Sequence, residues 1–215
     1  MTAAQPGAAV TEGVRSLEVR WIFPGQLEAT VAGWFARFPV ERETREDSYL
    51  RYPRLPGLSV KVRGGRALEV KMFRGSPGVL EVAGRAHGRL ESWQKWSFPC
   101  GRASPGGAEA SGWTPVSKRI SRVWLASGLP SVRAPGGEVP GCMVEITGVR
   151  MGGEPWWTLG FEATGPEDLL RGELEASAAL VFAQPLPGGI APSADTSRSY
   201  AEWLGGQLGA GAGGP

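Results

Sequence analysis

Charged side chains alternate with apolar ones in the stretch VKVRGGRALEVKMF, residues 60–73. With a side-chain period of two, one face of the two predicted strands carries only charged residues: Lys61, Arg63, Glu69 and Lys71. Arginine forms bidentate contacts with phosphate, and lysine presents a compact positive charge. This face is therefore suited to binding an anion, unless the fold simply exposes it to water.

The same pattern recurs in other predicted strands. The in-phase polar residues of segments 40–52, 114–126 and 142–165 are Glu41, Glu43, Arg45, Asp47, Tyr49, Lys118, Arg122, Glu145 and Glu162. A single strand of this kind is explained by an antiparallel sheet that solvates one face. Recurrence in at least five strands favours a sheet that closes on itself and turns its charged face towards a wet cavity, where opposite charges neutralise one another.

The elements that must position these residues are mostly strands. Besides the segments above, alternation predicts one strand at 16–23 and two strands within 78–98. Apolar residues at helical spacing predict helices over 26–38 and 166–184, and a short helix near 193–206. The sequence thus predicts a mainly β protein of the α+β class, an antiparallel β-barrel of about eight strands with helices packed outside. A β-sandwich with one solvated sheet is the alternative fold.

The chain of 215 residues is long enough for one β-rich domain, which we place at 15–204. The segments 1–14 and 205–215 are predicted to be disordered, because small and Gly-rich sequences cannot offset the entropy of ordering. The start of the chain has no basic region followed by an apolar one, and no run approaches 18 apolar residues. We therefore expect a cytoplasmic protein without a membrane partner.

Composition excludes several classes of function. A net charge of +2 argues against a strongly basic nucleic-acid surface. Cys100 and Cys142 are too few for a disulfide framework or a cysteine zinc site, although one bridge between them stays open. His87 is the only histidine and has no nucleophile motif beside it, so a turn or strand-start role is favoured over catalysis.

Nine tryptophans are many for this length. Trp93 and Trp96 flank Lys95, and Trp156-Trp157 precedes another strand, so that a stacking platform for a base or sugar is one interpretation. Packing in the core, or between helices and barrel, is the favoured one.

The order of these segments, over about residues 16–184, resembles the CYTH, or triphosphate tunnel, superfamily. The segments that carry the resemblance are LEVRWIF, EDSYLRY, LSVKVR, LEVKMF, LESWQKWSF, VSKRISRVW, VEITGV and LGFEATG. Proteins of this family are eight-stranded antiparallel barrels whose charged lumen binds a polyphosphate chain. Their basic side chains grip the phosphates, and their acidic side chains hold a divalent metal.

The resemblance implies roles for individual residues. Substrate-binding residues would be Arg20, Lys61, Arg63, Lys71, Lys95, Lys118 and Arg122. Catalytic residues would be Glu18, Glu91 and Glu162, and Mg²⁺ or Mn²⁺ would be held by Glu18, Glu145 and Glu162. The alternative is that these glutamates, together with Glu69, bind no metal and only neutralise the basic side chains of the lumen.

Three positions depart from the family pattern. Where the family places an acid, this chain has Arg20, Thr147 and Gly160. Each lost carboxylate removes a hard oxygen ligand, and a basic residue at position 20 repels a metal ion. The sequence therefore predicts a lumen rich in phosphate-binding cations and thinner in metal ligands.

These observations leave three functions open. The first is binding of a triphosphate, nucleotide or other phosphorylated small molecule, with metal-assisted hydrolysis. The second is a non-catalytic module that binds a phosphorylated or acidic ligand, and the third is a scaffold whose tryptophans meet a protein partner. No specific nucleic acid is expected. Among tripolyphosphate, ATP and pyrophosphate, we expect tripolyphosphate to raise the unfolding midpoint most, because it has the highest charge density.

Overall fold

The computed structural model describes residues 13–51, 55, 57–100, 112–131 and 139–210. The strands are β1 (Val14–Pro24), β2 (Glu41–Leu50), β3 (Leu58–Arg63), β4 (Ala67–Gly75), β5 (Val79–Val82), β6 (Ala86–Arg89), β7 (Glu91–Pro99), β8 (Trp113–Ala126), β9 (Leu129–Ser131), β10 (Gly141–Met151) and β11 (Glu154–Thr164). The helices are α1 (Ala29–Phe35), α2 (Leu170–Val181) and α3 (Tyr200–Ala210), with short 3₁₀ turns at Pro187–Gly189 and Ala194–Thr196.

The described residues form a closed antiparallel barrel of eight strands. The strands follow one another in the order β10, β11, β1, β7, β4, β3, β2 and β8, and β8 pairs back onto β10. Strand β9 extends the edge of β8, while β5 and β6 form a hairpin of their own. The predicted barrel is confirmed, and the alternative of a β-sandwich with one solvated sheet is ruled out.

The main apolar core lies outside the barrel, between the sheet and the helices. The outward-facing Trp21 meets Phe161 and Phe182 edge-on, at ring-centroid distances of 6.1 and 5.9 Å. Helix α2 adds the buried side chains of Leu174 and Ala178 to the same cluster. Apolar residues therefore face outwards under helices, and the opposite face of each strand is left to line the lumen.

Both predicted outer helices exist but are shorter than the sequence suggested. Helix α1 occupies Ala29–Phe35 instead of 26–38, because the residue before Pro39 is disfavoured in helical conformation and the chain leaves the helix ahead of it. Helix α2 begins at Leu170 rather than 166, after a turn in which the Leu169 N–H donates to the Pro166 carbonyl.

The segment 78–98, predicted as two strands, holds three. The β5–β6 hairpin lies on the outer face of β1, and Gly88 makes the close approach possible. A Cβ at that position would lie 2.7 Å from both the Trp21 and Val19 side chains. Only β7 from this segment joins the barrel.

Helix α3 packs at one end of the barrel. Trp203 and Leu204 form a second apolar cluster with Ile22, Tyr49, Val116 and Val149. The helix continues through Ala210, past position 205 where the Gly-rich tail was predicted to begin, because these buried anchors hold its first turns. At the other terminus β1 starts at Val14, inside the predicted 1–14 segment. Residues 1–12 and 211–215 lie outside the described residues.

Cys100 and Cys142 are both free thiols, so the bridge left open by the sequence is not formed. Among the described residues, no helix is both long and apolar enough to cross a membrane.

Candidate functional site

The barrel encloses a cavity of about 540 Å³. Its wall includes every residue predicted to bind substrate, act in catalysis or hold metal: Glu18, Arg20, Lys61, Arg63, Lys71, Glu91, Lys95, Lys118, Arg122, Glu145 and Glu162. Glu69 lies on the same wall. The period-two alternation thus predicts the orientation of these side chains correctly, while their chemical roles stay predictions.

Asp47 lies at the centre of one charge cluster and is fully buried. Its carboxylate pairs with Arg45 Nε at 3.0 Å, Lys118 Nζ at 3.1 Å and Lys61 Nζ at 3.6 Å. Burial alone would raise the pKa of Asp47, but Lys61 and Lys118 hold it far below its usual range. Arg45 also pairs with Glu43, and Lys61 also pairs with Glu69, so this cluster is part of a wider network of paired cations and carboxylates.

Tyr49 joins this cluster through its hydroxyl group, which accepts a hydrogen bond of 2.7 Å from Lys118 Nζ. The same ammonium group lies over the rings of Tyr49 and Tyr200, at 4.9 and 4.2 Å from their centroids. Tyr200 belongs to α3, so the helix that closes the barrel end also contributes to the lumen wall.

Glu69 forms the next cluster along β3 and β4. It accepts from Lys61 at 3.1 Å and from Arg63 at 3.2 Å. Burial favours the protonated carboxyl, yet the neighbouring cations, Lys61 foremost, lower the pKa of Glu69 to about 2.

A row of three carboxylates crosses adjacent strands, with Glu18 on β1 in register with Glu91 on β7 and Glu162 on β11. Lys71 Nζ contacts Glu18 at 2.7 Å and Glu162 at 3.7 Å, and Lys95 Nζ contacts Glu162 at 3.2 Å. Although burial opposes its ionisation, Lys71 and Lys95 hold the pKa of Glu162 well below the usual value. Like charges on neighbouring strands repel each other. The two lysines offset this repulsion between the carboxylates of the row.

Glu91 differs from the other two members of the row. It accepts hydrogen bonds from Arg89 Nη2 at 2.5 Å and from the Trp93 indole at 2.9 Å. Arg89 also pairs with Glu202 of α3, which links the end helix to the barrel wall. Burial raises the pKa of Glu91.

Arg20 reaches across β11 to Glu145 on β10. Its Nη1 lies 3.0 Å from Glu145 Oε1 and 3.0 Å from Thr158 Oγ1. The residue between them in register is Gly160. Two positions at which the sequence departs from the family pattern, 20 and 160, are therefore neighbours in space.

Sequence reasoning left some lumen residues out of the site. Arg45 bridges Glu43 at 2.9 Å and Asp47, and Arg122 contacts Glu43 at 2.8 Å. The alternation in segment 40–52 already placed Arg45 on the charged face, so the signal was present. Tyr200 gave no such signal, because it follows a long irregular connection.

The described residues contain no group of three or more histidine, cysteine, aspartate or glutamate side chains placed to hold a metal ion. The predicted ligands Glu18, Glu145 and Glu162 instead pair with Lys71, Arg20 and Lys95. The donor set as arranged does not fit a divalent cation, and metal binding by these residues stays a prediction.

The remaining candidates are His87 and the tryptophans. His87 is exposed on the outer β5–β6 hairpin. The buried tryptophans are Trp21, Trp34, Trp93, Trp124, Trp157 and Trp203. Trp21, Trp34, Trp157 and Trp203 belong to the apolar clusters, in line with the core-packing interpretation, whereas Trp93 and Trp124 line the cavity. Trp156 meets Trp203 edge-on at 5.4 Å.

A scan against models of protein families and a search of curated proteins both find no match. Several solved structures are similar to this chain, among them the following three. The conserved hypothetical protein Pfu-838710-001 from Pyrococcus furiosus has 16% identity and a TM-score of 0.43, over 86% of this chain and 98% of that one. PH1819 from Pyrococcus horikoshii OT3 has 12% identity and a TM-score of 0.45, over 89% and 99%.

The third is the RNA triphosphatase Pct1 of S. pombe, in complex with the Spt5 CTD. It has 10% identity and a TM-score of 0.40, over 81% of this chain and 82% of that one.

Proposed function

We propose that the barrel lumen binds a small molecule that carries several phosphate groups. The observation that supports this is the convergence of eight basic side chains of the described residues on one cavity: Arg20, Arg45, Lys61, Arg63, Lys71, Lys95, Lys118 and Arg122. The cavity volume of about 540 Å³ falls in the range of small-molecule sites.

Phosphate is the anion that suits this wall best. Arginine guanidinium groups match phosphate oxygens in a bidentate fork, and lysine ammonium groups add point charges at the ends of flexible stems. The basic residues come from β1, β2, β3, β4, β7 and β8, so an extended polyanion can be contacted from several sides at once. A ligand with one charge would use only a fraction of this wall.

Before the ligand enters, carboxylates balance the cations. Phosphate oxygens would replace carboxylate oxygens as hydrogen-bond acceptors, and the affinity is the difference between these two sets of contacts. At the Asp47 cluster, phosphate oxygens would compete with the carboxylates of Asp47, Glu43 and Glu69 for the same cations. Attraction between charges weakens with salt, so binding should be strongest at low ionic strength.

Thermal shift and titration calorimetry with tripolyphosphate, ATP and pyrophosphate test this proposal. A ligand that binds only the native state raises the unfolding midpoint, and we expect tripolyphosphate to raise it most. The double variant Lys61→Ala with Arg63→Ala should abolish the shift. As a matched control, Arg150→Ala removes an exposed charge outside the lumen and should leave the shift unchanged. If no phosphate compound raises the midpoint at low salt, the proposal is wrong.

Hydrolysis of the bound ligand is a second candidate function. The observation in its favour is that Glu91, Glu18 and Glu162 lie in register on three adjacent strands and line the cavity. Release of inorganic phosphate from tripolyphosphate, with Mn²⁺ and separately with EDTA, tests it. Activity that is lost in Glu162→Ala would support hydrolysis. Tight binding without phosphate release would leave a binding module.

A further inference from the structure

We propose that Arg20 occupies the place of a metal ion in the lumen, so that the polyanionic ligand binds without a divalent cation. This inference rests on the proposed function, because it concerns the cofactor requirement of the same site. It starts from a contact between strands that are not neighbours.

Arg20 on β1 and Glu145 on β10 are separated in the sheet by β11. Neighbouring strands lie about 4.8 Å apart, so the backbones of β1 and β10 are roughly 10 Å apart. A side chain on β11 would normally stand between them. Here the intervening residue is Gly160, in register with both, and the guanidinium crosses the gap to contact Glu145 at 3.0 Å.

Gly160 is required for this arrangement. A Cβ at position 160 would lie 2.7 Å from Arg20 Cζ and Nη2, and 2.8 Å from Nη1. Any side chain at this position would have to displace the guanidinium from Glu145. The contact between Arg20 and Glu145 therefore depends on glycine at position 160.

The contact removes Glu145 from the set of carboxylates that can ligate a metal. The Arg20 guanidinium, which stays protonated in proteins, lies 3.0 Å from the Glu145 Oε1 atom that a metal would need. A divalent ion at this point would have to displace the guanidinium and would also be repelled by it.

Arg20 keeps donors for a ligand while it holds Glu145. Its recorded hydrogen bonds to Glu145 and Thr158 both use Nη1, and a guanidinium carries further N–H groups on Nε and Nη2. Arg20 is part of the cavity wall, with its Cζ 4.8 Å from the Tyr200 ring centroid. It is thus fixed on both sides and presents a positive charge to the lumen, as a bound metal ion would.

Lys71 plays the matching part in the neighbouring row. Its ammonium group lies between Glu18 and Glu162, at 2.7 and 3.7 Å. Two carboxylates on adjacent strands would otherwise form the start of a metal site. With Arg20 and Lys71 in place, the chain supplies its own cations next to all three predicted metal ligands.

Titration calorimetry of the full chain with tripolyphosphate tests the inference directly. In EDTA, the wild-type protein should bind at least as tightly as in Mg²⁺, because Mg²⁺ only lowers the charge of the free ligand. Binding that appears only when Mg²⁺ or Mn²⁺ is added would overturn the inference and leave the proposed phosphate binding intact.

A second experiment needs no phosphate ligand. The unfolding midpoint of each protein is measured with and without millimolar Mn²⁺. The midpoint of the wild type should not respond. Arg20→Gln frees Glu145 beside the Glu18 row, so its midpoint should rise with Mn²⁺, and its affinity for tripolyphosphate in EDTA should fall about tenfold. The matched control Arg63→Gln also removes a lumen arginine, but Lys61 still holds Glu69, so Mn²⁺ should not stabilise it.

Gly160→Ala provides an independent variant if Arg20→Gln does not fold, because it displaces the guanidinium without removing its charge. It too should gain a response to Mn²⁺. If neither variant responds to Mn²⁺, or if the wild type responds as strongly as they do, Arg20 does not occupy the place of a metal. If the wild type binds no polyphosphate under any condition, the proposed function fails, and the Mn²⁺ measurements still decide the role of Arg20.

Discussion

Lys71 and Lys95 lie directly opposite each other on β4 and β7, and both ammonium groups reach the carboxylate of Glu162. Like charges in this position destabilise a sheet. Their closeness is tolerated because one carboxylate on β11 lies between them. An anion that binds the two ammonium groups more strongly than Glu162 does can therefore replace this carboxylate between them.

Glu162→Gln should therefore have opposite effects on stability and binding. The variant leaves two half-buried ammonium groups without their shared counter-charge, which should lower the free energy of unfolding by about 3 kcal/mol. Tripolyphosphate should bind about tenfold more tightly at low salt, because no carboxylate competes with it. Urea unfolding and calorimetry measure the two effects.

Glu167→Gln is the control for this prediction, because Glu167 is exposed and pairs with Arg15 on the surface. It should change neither quantity measurably. Weaker binding by Glu162→Gln would show that this carboxylate contacts the ligand favourably.

The low pKa of Glu69 should be visible in the pH dependence of the free energy of unfolding. Because its folded pKa of about 2 lies below the ordinary value of 4.5, the unfolded chain takes up a proton first as the pH falls. The ion pairs with Lys61 and Arg63 therefore stabilise the fold above pH 4.5, and this contribution is lost progressively between pH 4.5 and 2.

Denaturant unfolding across this pH range measures the effect. Glu69→Gln should lower stability at neutral pH and show a shallower fall towards low pH than the wild type. Equal slopes for the two proteins would contradict the low pKa.

Trp203 should be the main anchor of α3. Its side chain is buried and contacts Trp156 and Tyr200 edge-on, at 5.4 and 5.8 Å. Trp203→Ala should cost about 3 kcal/mol in unfolding free energy. Gln207→Ala, on the exposed side of the same helix, should change it by less than about 0.5 kcal/mol. A small effect of Trp203→Ala would mean that α3 is held by its ion pair to Arg89 instead.

Two glycines should respond to alanine in opposite directions. Gly33 lies in α1 with nothing within 4 Å of a built Cβ, so alanine should stabilise the helix by about 0.5 kcal/mol or more. At Gly141, a Cβ would lie 2.5 Å from the Trp124 ring and 2.7 Å from the Leu125 carbonyl oxygen, so alanine should lower the melting temperature. Calorimetric melting of both variants distinguishes the two cases.

The alternation of charged and apolar residues predicted much of this molecule. It placed Lys61, Lys71 and Lys118 on one face, and the barrel turns that face inwards. This works because side-chain direction in a strand is fixed locally, by the pleat of the backbone. The recurrence of the pattern then indicated that the sheet encloses a cavity.

Partners across the lumen could not be predicted in the same way. Which carboxylate meets Arg20 depends on the order and register of β1, β11 and β10, and on the missing side chain at Gly160. The position of α3 was equally inaccessible, because Trp203 packs against residues from β1, β2, β8 and β10 that are distant in sequence. Such contacts are properties of the closed barrel and not of any one segment.

Closure of the sheet also has a consequence for how fast the chain reaches this state. The hydrogen bond between Arg20 and Thr158 joins residues 138 positions apart, and the one between Arg20 and Glu145 spans 125. Closing so large a loop costs conformational entropy, and this cost comes before the pairing of β1 with β11 can stabilise the chain. Hairpins such as β3–β4 and β10–β11 should therefore form early, and the first strand should join last. We expect folding on the slow, millisecond-to-second scale of non-local β topologies.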